Sequence, residues 1–249
     1  MKPTLGVFWF GQFMEFFTPY LEPFFEIKVY DRSWGWEKIL KTWAKPVSFE
    51  EAASCSFVLL GYPASYIEDL VKKIAPYIKK EVVVFDICSV KTPAVEAMIK
   101  YLPKHCHIIG THPVFWPQSG KNGIKWLKMT FTDITSDRGV FEEFKNIFSE
   151  KLKLEVFEMT IQQHDKEMAY IQGITHFIGR TLKQMAIPDA VLATTSYSHL
   201  RETSELVGYD SDDLFLSIQL DNPYVKEARE ALLTEIVSLD DWVQENTKK

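Results

Sequence analysis

The amino-terminal half of the chain alternates short apolar runs with stretches of helical spacing, and this alternation constrains the fold more than any other feature. Residues 4–10 (TLGVFWF), 26–30 (EIKVY), 56–60 (SFVLL) and 81–86 (EVVVFD) are rich in valine, isoleucine and phenylalanine and read as strands. Between them, residues 12–23, 66–78 and 92–101 carry apolar positions at helical spacing, the first limited at its end by prolines. A short strand over 107–110 (HIIG) leads into a loop over 111–123. Strands separated by helices call for parallel pairing through crossover connections, so the expected architecture is a doubly wound α/β sheet.

From about residue 158 the pattern changes. Residues 162–185, 189–207, 211–219 and 223–244 are helical stretches with no strand between them. The boundary is placed near residue 155, giving a Rossmann-like α/β domain over 1–155 and an all-helical domain over 156–249. The final NTKK reads as a frayed end.

Composition excludes several classes of function. A net charge of −6 leaves no basic footprint for nucleic acid, and the aromatics are not interleaved with Lys or Arg. No apolar run reaches the roughly 18 residues that a membrane span needs, and no signal peptide is legible, so the expected address is cytoplasmic. Cys55, Cys88 and Cys106 show neither CxxC pairing nor metal-ligand spacing with histidine; they read as reduced and buried, and no metal is expected.

The stretch LGVFWFGQFMEFF (residues 5–17) poses the functional question. A dinucleotide-binding loop uses one glycine for a tight turn, a second for close approach of the pyrophosphate and a third for helix packing. Here Gly11 stands at the second position, while Trp9 occupies the first and Met14 the third. Asp31 lies twenty residues after Gly11 at the end of the second strand, where an acidic side chain would accept the ribose hydroxyls of NAD, or would be a surface residue after a strand. Gly11 and the helix terminus at Gln12 and Phe13 still offer amides to an anion.

Three later segments supply context: FDICSVK (85–91), GTHPVFWPQSGKNG (110–123) and HDKEMAYIQGITHFIGRTL (164–182). Together with SDDLFLSIQLDNPYVKEARE (211–230), in this order over almost the whole chain, they resemble the prephenate and arogenate dehydrogenases of tyrosine biosynthesis. The SGKNG piece is most similar to the plant-type arogenate enzymes and their bacterial relatives. The resemblance implies a Rossmann domain followed by a helical domain that forms a homodimer. It also implies oxidation of the ring C4 alcohol of prephenate or arogenate by hydride transfer to a nicotinamide, with loss of carbon dioxide.

Residue by residue, the resemblance makes His112 the catalytic base, since histidine exchanges protons near neutral pH. It puts Ser89 near the substrate hydroxyl and the nicotinamide, although Ser89 could equally cap the following helix, with Thr92 competing for that job. Lys91 would hold the same loop or be solvated. Gln172 and His176, four apart on one helix, would contact substrate, with Gly173 between them letting another group approach closely. His164 and Asp165 match a family pair near the cofactor, and Asp165 would equally serve as a helix cap. Arg201 keeps one position of the family's arginine pair, while Glu205 stands where the second would lie. A carboxylate there would repel prephenate's side-chain carboxylate and receive arogenate's ammonium.

NAD is the expected cofactor because Asp31 would repel a 2′-phosphate, and Arg32 beside it keeps NADP open. Trp9, Met14 and Trp116, the last where the family usually has glycine, are departures: the two tryptophans would narrow a cleft, and Met14 would hold the helix away from the strand. Two readings therefore stand at this point: a working dehydrogenase with a modified cofactor loop, or a non-catalytic relative that binds a ligand or partner.

Overall fold

A computed structural model describes residues 1–32, 36–208 and 210–247; Lys248 and Lys249, part of the expected frayed end, lie outside the described residues. The chain divides into two compact units, residues 1–161 and 162–249.

The first unit begins β1 (Thr4–Phe8), α1 (Gln12–Leu21), β2 (Glu26–Tyr30), α2 (Trp36–Ile39), β3 (Lys45–Pro46) and α3 (Phe49–Ala53). It continues with β4 (Phe57–Leu60), α4 (Ala64–Ile74), β5 (Val83–Asp86), α5 (Thr92–Tyr101) and β6 (His107–Pro113). β7 (Lys128–Asp133), α6 (Arg138–Asn146) and β8 (Glu155–Glu158) close it. The strands form one eight-stranded sheet in the order β3-β2-β1-β4-β5-β6-β7-β8. Strand order reverses between β1 and β4, so ligands are expected beyond the carboxyl ends of these strands.

Alternation along the strands sorts the core onto two faces. Leu5 and Val7 of β1 join Val29, Leu59, Phe85 and Phe131 on the face covered by α1 and α6. Phe8, Val58, Leu60 and Val84 face the other way, against α4 and α5. Gly6 lies on that second face because α3 crosses it closely: a Cβ there would meet the Ala52 carbonyl oxygen at 1.9 Å.

The sheet is not wholly parallel. β7 runs antiparallel to β6, and β8 pairs parallel with β7. This corrects the expected loop over 111–123, because Thr111, His112 and Pro113 belong to β6, in register with Phe131, Thr130 and Met129. Antiparallel pairing lets the strand run past the point where its parallel neighbour β5 ends, despite the loop-like composition of GTHP. The two-residue edge strand β3 precedes SFVLL, which is therefore the fourth strand and not the third.

The second unit contains α7 (Ile161–Met168), α8 (Thr175–Gln184), α9 (Thr195–Val207), α10 (Asp212–Asp221) and α11 (Val225–Asn246). A π-helical segment, Ala169–Ile174, joins α7 to α8. α9 starts later than residue 189 because the Thr194 hydroxyl caps it, accepting the Tyr197 N–H. Among the described residues no helix is long and apolar enough to cross a membrane.

Candidate active site

Two groups of strand ends, those of β5 and β6 and that of β1, carry the candidate residues of the first unit. At β5 and β6, the carboxylate of Asp86, the last residue of β5, is fully buried and organises everything around it. Its Oδ2 accepts the Cys88 N–H at 3.0 Å and its Oδ1 accepts the Thr111 N–H at 3.3 Å. The Lys91 ammonium, itself 0% exposed, pairs with Asp86 and donates to the Thr111 carbonyl. The Thr111 hydroxyl donates back to the Asp86 carbonyl. Lys91 is thus not solvated: it locks the Ile87–Val90 turn, which carries half-buried Ser89, against the strand that presents His112.

His112 sits on β6 beside this lock and is 3% exposed. Ser89 does not cap α5, whose N-cap residue is Lys91 with no side-chain cap hydrogen bond. The turn is tied further by Cys88, whose thiol donates to the Tyr62 carbonyl at 3.4 Å. Burial pushes the Cys88 thiol well above its ordinary range, so it is inert as a nucleophile at neutral pH. Cys55, Cys88 and Cys106 are all buried free thiols.

At the end of β1 the chain turns through Trp9, whose φ is +81°. This is the left-handed region that glycine tolerates best, and a bulky residue there costs about 1–2 kcal/mol. The turn is held from both sides: Trp9 N–H donates to the Tyr30 carbonyl at 3.1 Å and Phe10 N–H donates to Asp31 Oδ2 at 2.7 Å. Asp31 therefore engages the loop backbone itself, a contact the sequence did not suggest. Gly11 is the N-cap of α1 with no side chain to cover the helix end. A Cβ there would meet the Trp9 indole Nε1 at 2.6 Å, so the indole lies over Gly11. Its ring packs edge-on against Tyr62, centroids 4.7 Å apart. Met14 is buried in the core under the sheet face that α1 covers.

Beside this turn lies a cavity of about 480 Å³ lined by Tyr30, Arg32, Tyr62, Tyr66, Asp69 and Lys73 among others. Of these six only Arg32 is a candidate from the sequence; tyrosines on a strand end, a loop and a helix face carry no motif. The cavity, its cations and the exposed amide end of α1 fit a dinucleotide, and the indole lies over Gly11 beside them. The loop after His112 packs on the same helix: Phe115 contacts Phe13, Phe16 and Phe17, and Trp116 meets Phe13 edge-on at 6.0 Å.

The second unit collects the remaining candidates around the π segment, a helix irregularity common at functional sites. His164 and Asp165 are fully buried, with His164 Nδ1 2.8 Å from Asp165 Oδ1, and the Asp165 carbonyl accepts the Asn222 amide at 2.8 Å. Gln172 is buried on the π segment. The group that approaches Gly173 is Val225 of α11, since a Cβ would meet its Cγ2 at 2.7 Å, and the Gly173 carbonyl accepts the Gln219 amide. His176 Nδ1 and Asp210 Oδ2 sit 2.8 Å apart, off the line of a hydrogen bond. Arg201 pairs with both Asp189 and Glu205, the latter at 2.9 Å, so Glu205 faces a guanidinium on its own helix.

The family profile described as "Prephenate dehydrogenase, nucleotide-binding domain" matches residues 38–130. Arogenate dehydrogenase 2, chloroplastic, of Arabidopsis thaliana is 32% identical over 160 residues, covering 62% of this chain and 44% of that protein. The probable arogenate/prephenate dehydrogenase of Methanocaldococcus jannaschii is 23% identical over 209 residues, covering 81% and 47%. The chain thus spans about half the length of these curated relatives. Among solved structures, prephenate dehydrogenase from A. aeolicus in complex with hydroxyphenyl propionate and NAD+ superposes with a TM-score of 0.76 at 19% identity, over 100% of this chain and 93% of that one. Residues 38–130 thus match the nucleotide-binding domain of prephenate dehydrogenases, and the chain is similar over most of its length to arogenate and prephenate dehydrogenases.

Proposed function

We propose that this protein is a nicotinamide-dependent dehydrogenase that converts prephenate or arogenate to 4-hydroxyphenylpyruvate or tyrosine. The observation that carries this reading is the buried Asp86–Lys91–Thr111 lock, which fixes the Ser89 turn and the His112 strand together at the ends of β5 and β6. Such an investment of buried charge is costly unless the geometry it fixes is needed.

The ring bears a C4 hydroxyl and, opposite it, a carboxylate. His112 takes the hydroxyl proton, and Ser89 holds the oxygen so that it stays aligned as its bond to carbon becomes a carbonyl. The bound nicotinamide supplies a hydride acceptor. The ring carboxylate then leaves as carbon dioxide, its bonding pair completing the aromatic ring. On the cofactor side Gly11, Gln12 and Phe13 offer backbone to the pyrophosphate, Asp31 fixes the turn, and Arg32 lines the cavity that would take the adenosine end. With Arg32 and Lys73 both there, NADP is accommodated as well as NAD.

The resemblance assigns substrate contacts to Gln172, Gly173, His176 and Arg201 of the helical unit and a cofactor contact to Asp165. That unit also forms the homodimer: Leu233, Ile236, Val237, Trp242 and Val243 of α11 are exposed apolar residues that a second copy would cover. The test is a reduced-nicotinamide absorbance assay with each of prephenate and arogenate and each of NAD and NADP. Turnover of either acid is expected; a protein that binds dinucleotide yet turns over neither acid would be a binding relative instead.

A further inference from the structure

The residue at the first glycine position of the loop does more than strain it. Trp9 is 37% exposed, is held at φ +81° by its hydrogen bond to Tyr30, and lays its indole over the α-carbon of Gly11. That face of Gly11 is where a dinucleotide loop brings its backbone up to the pyrophosphate. The opposite edge of the ring rests on Tyr62, which also lines the adjoining 480 Å³ cavity. The indole therefore stands between the cavity and the amide end of α1, on the line a dinucleotide has to cross.

We propose that the Trp9 indole is a movable stopper in the cofactor site: it covers Gly11 in the free protein and turns away from it when a dinucleotide bridges from the cavity to the helix end. This rests on the dinucleotide-binding reading above. Three features make the ring a stopper and not a fixed wall. It is partly exposed, so it has solvent to swing into; it meets Tyr62 edge-on; and among the described residues its Nε1 makes no hydrogen bond. Dinucleotide affinity then includes the cost of moving the ring, and a ligand that fills only the cavity does not pay it.

The experiment is calorimetric titration of the full chain and its Trp9→Ala and Trp9→Gly variants with NAD, NADP and adenosine, with a thermal melt of each protein. Glycine suits the left-handed turn, so Trp9→Gly should fold and melt no lower than the parent, whereas Trp9→Ala removes the ring and keeps the strain. Both variants are expected to bind NAD and NADP at least tenfold more tightly than the parent, with adenosine affinity unchanged. Equal or weaker dinucleotide binding by both variants overturns the proposal alone, since the ring would then be a bystander or a contact. Tightening by Trp9→Gly only, or equal tightening of adenosine, overturns it too, because backbone relief or a looser loop would be the cause. Absence of dinucleotide binding by all three proteins overturns both the proposal and the reading it rests on.

Discussion

The carboxyl ends of β1 and of β5 and β6 lie in one sheet, yet the chain has treated them differently. At β5 and β6 every polar group of the lock has a partner: Asp86 takes two backbone N–H groups and an ammonium, and Thr111 uses both its N–H and its hydroxyl. At β1 the turn is made by a tryptophan in a glycine conformation, with its ring lying over the one loop glycine that remains. The contrast teaches that the strand ends proposed to carry the chemistry are held by buried polar contacts, while the turn proposed to meet the cofactor is built on a tryptophan. The buried lysine–aspartate pair is costly to break, so the Ser89 turn and the His112 strand stay fixed to each other.

The largest effect should come from the intact side. Replacing His112 by Asn should lower kcat by about 10²–10⁴-fold while leaving NAD or NADP affinity as in the parent, measured by steady-state kinetics beside calorimetry. If turnover survives, the base is elsewhere and the contrast loses its meaning. Next, Lys91→Met should cost about 3–5 kcal/mol of stability in urea denaturation, because Asp86 is left buried and unpaired. Adding Asp86→Asn to it should restore part of that loss; no restoration would mean that packing and not charge pairing holds the lock.

A smaller effect is expected at β1. Gly61→Ala would put a Cβ 2.9 Å from the Phe8 carbonyl oxygen and 3.3 Å from that of Trp9, backbone that cannot step aside easily. Destabilisation of about 1–3 kcal/mol is expected, read from the same denaturation curves. The smallest effect concerns pH. Burial raises the Cys106 thiol from 9.0 to about 11 and raises Cys88 in the same direction. The folded chain thus keeps thiol protons that the unfolded chain releases, so stability falls as pH rises from about 9 to 11 and is flat below. Denaturation midpoints at pH 8 and 10.5 test this, and the drop should shrink in Cys106→Ala.

Much of this was legible in the chain. The runs at β1, β2, β4 and β5 are apolar enough to announce themselves, and α5 sits where its spacing puts it. β6 was read too short because its last residues, Thr111, His112 and Pro113, are polar or imino, and only the antiparallel partner β7 keeps them extended. β7 and β8 were not read at all; Lys128–Asp133 alternates threonine with apolar residues and offers no long run. The displaced glycine at Trp9 was visible as a misplaced residue, but its φ and the position of its ring depend on Tyr30 and Gly11 in space. For Lys91 the sequence left open whether it holds the loop or is solvated, and only the buried carboxylate of Asp86 decides for the first. The π segment around Gln172 leaves no mark in helical periodicity.

In the proposed reading the chemical half of the site works while its cofactor entry is hindered. Steady-state kinetics with prephenate or arogenate at saturating dinucleotide, compared between the parent and Trp9→Gly, tests it most directly. The account predicts a kcat in the ordinary enzymatic range, roughly 1–10³ s⁻¹, similar in both proteins, with a cofactor KM that falls in the variant. Absence of turnover by both proteins with dinucleotide demonstrably bound would contradict it.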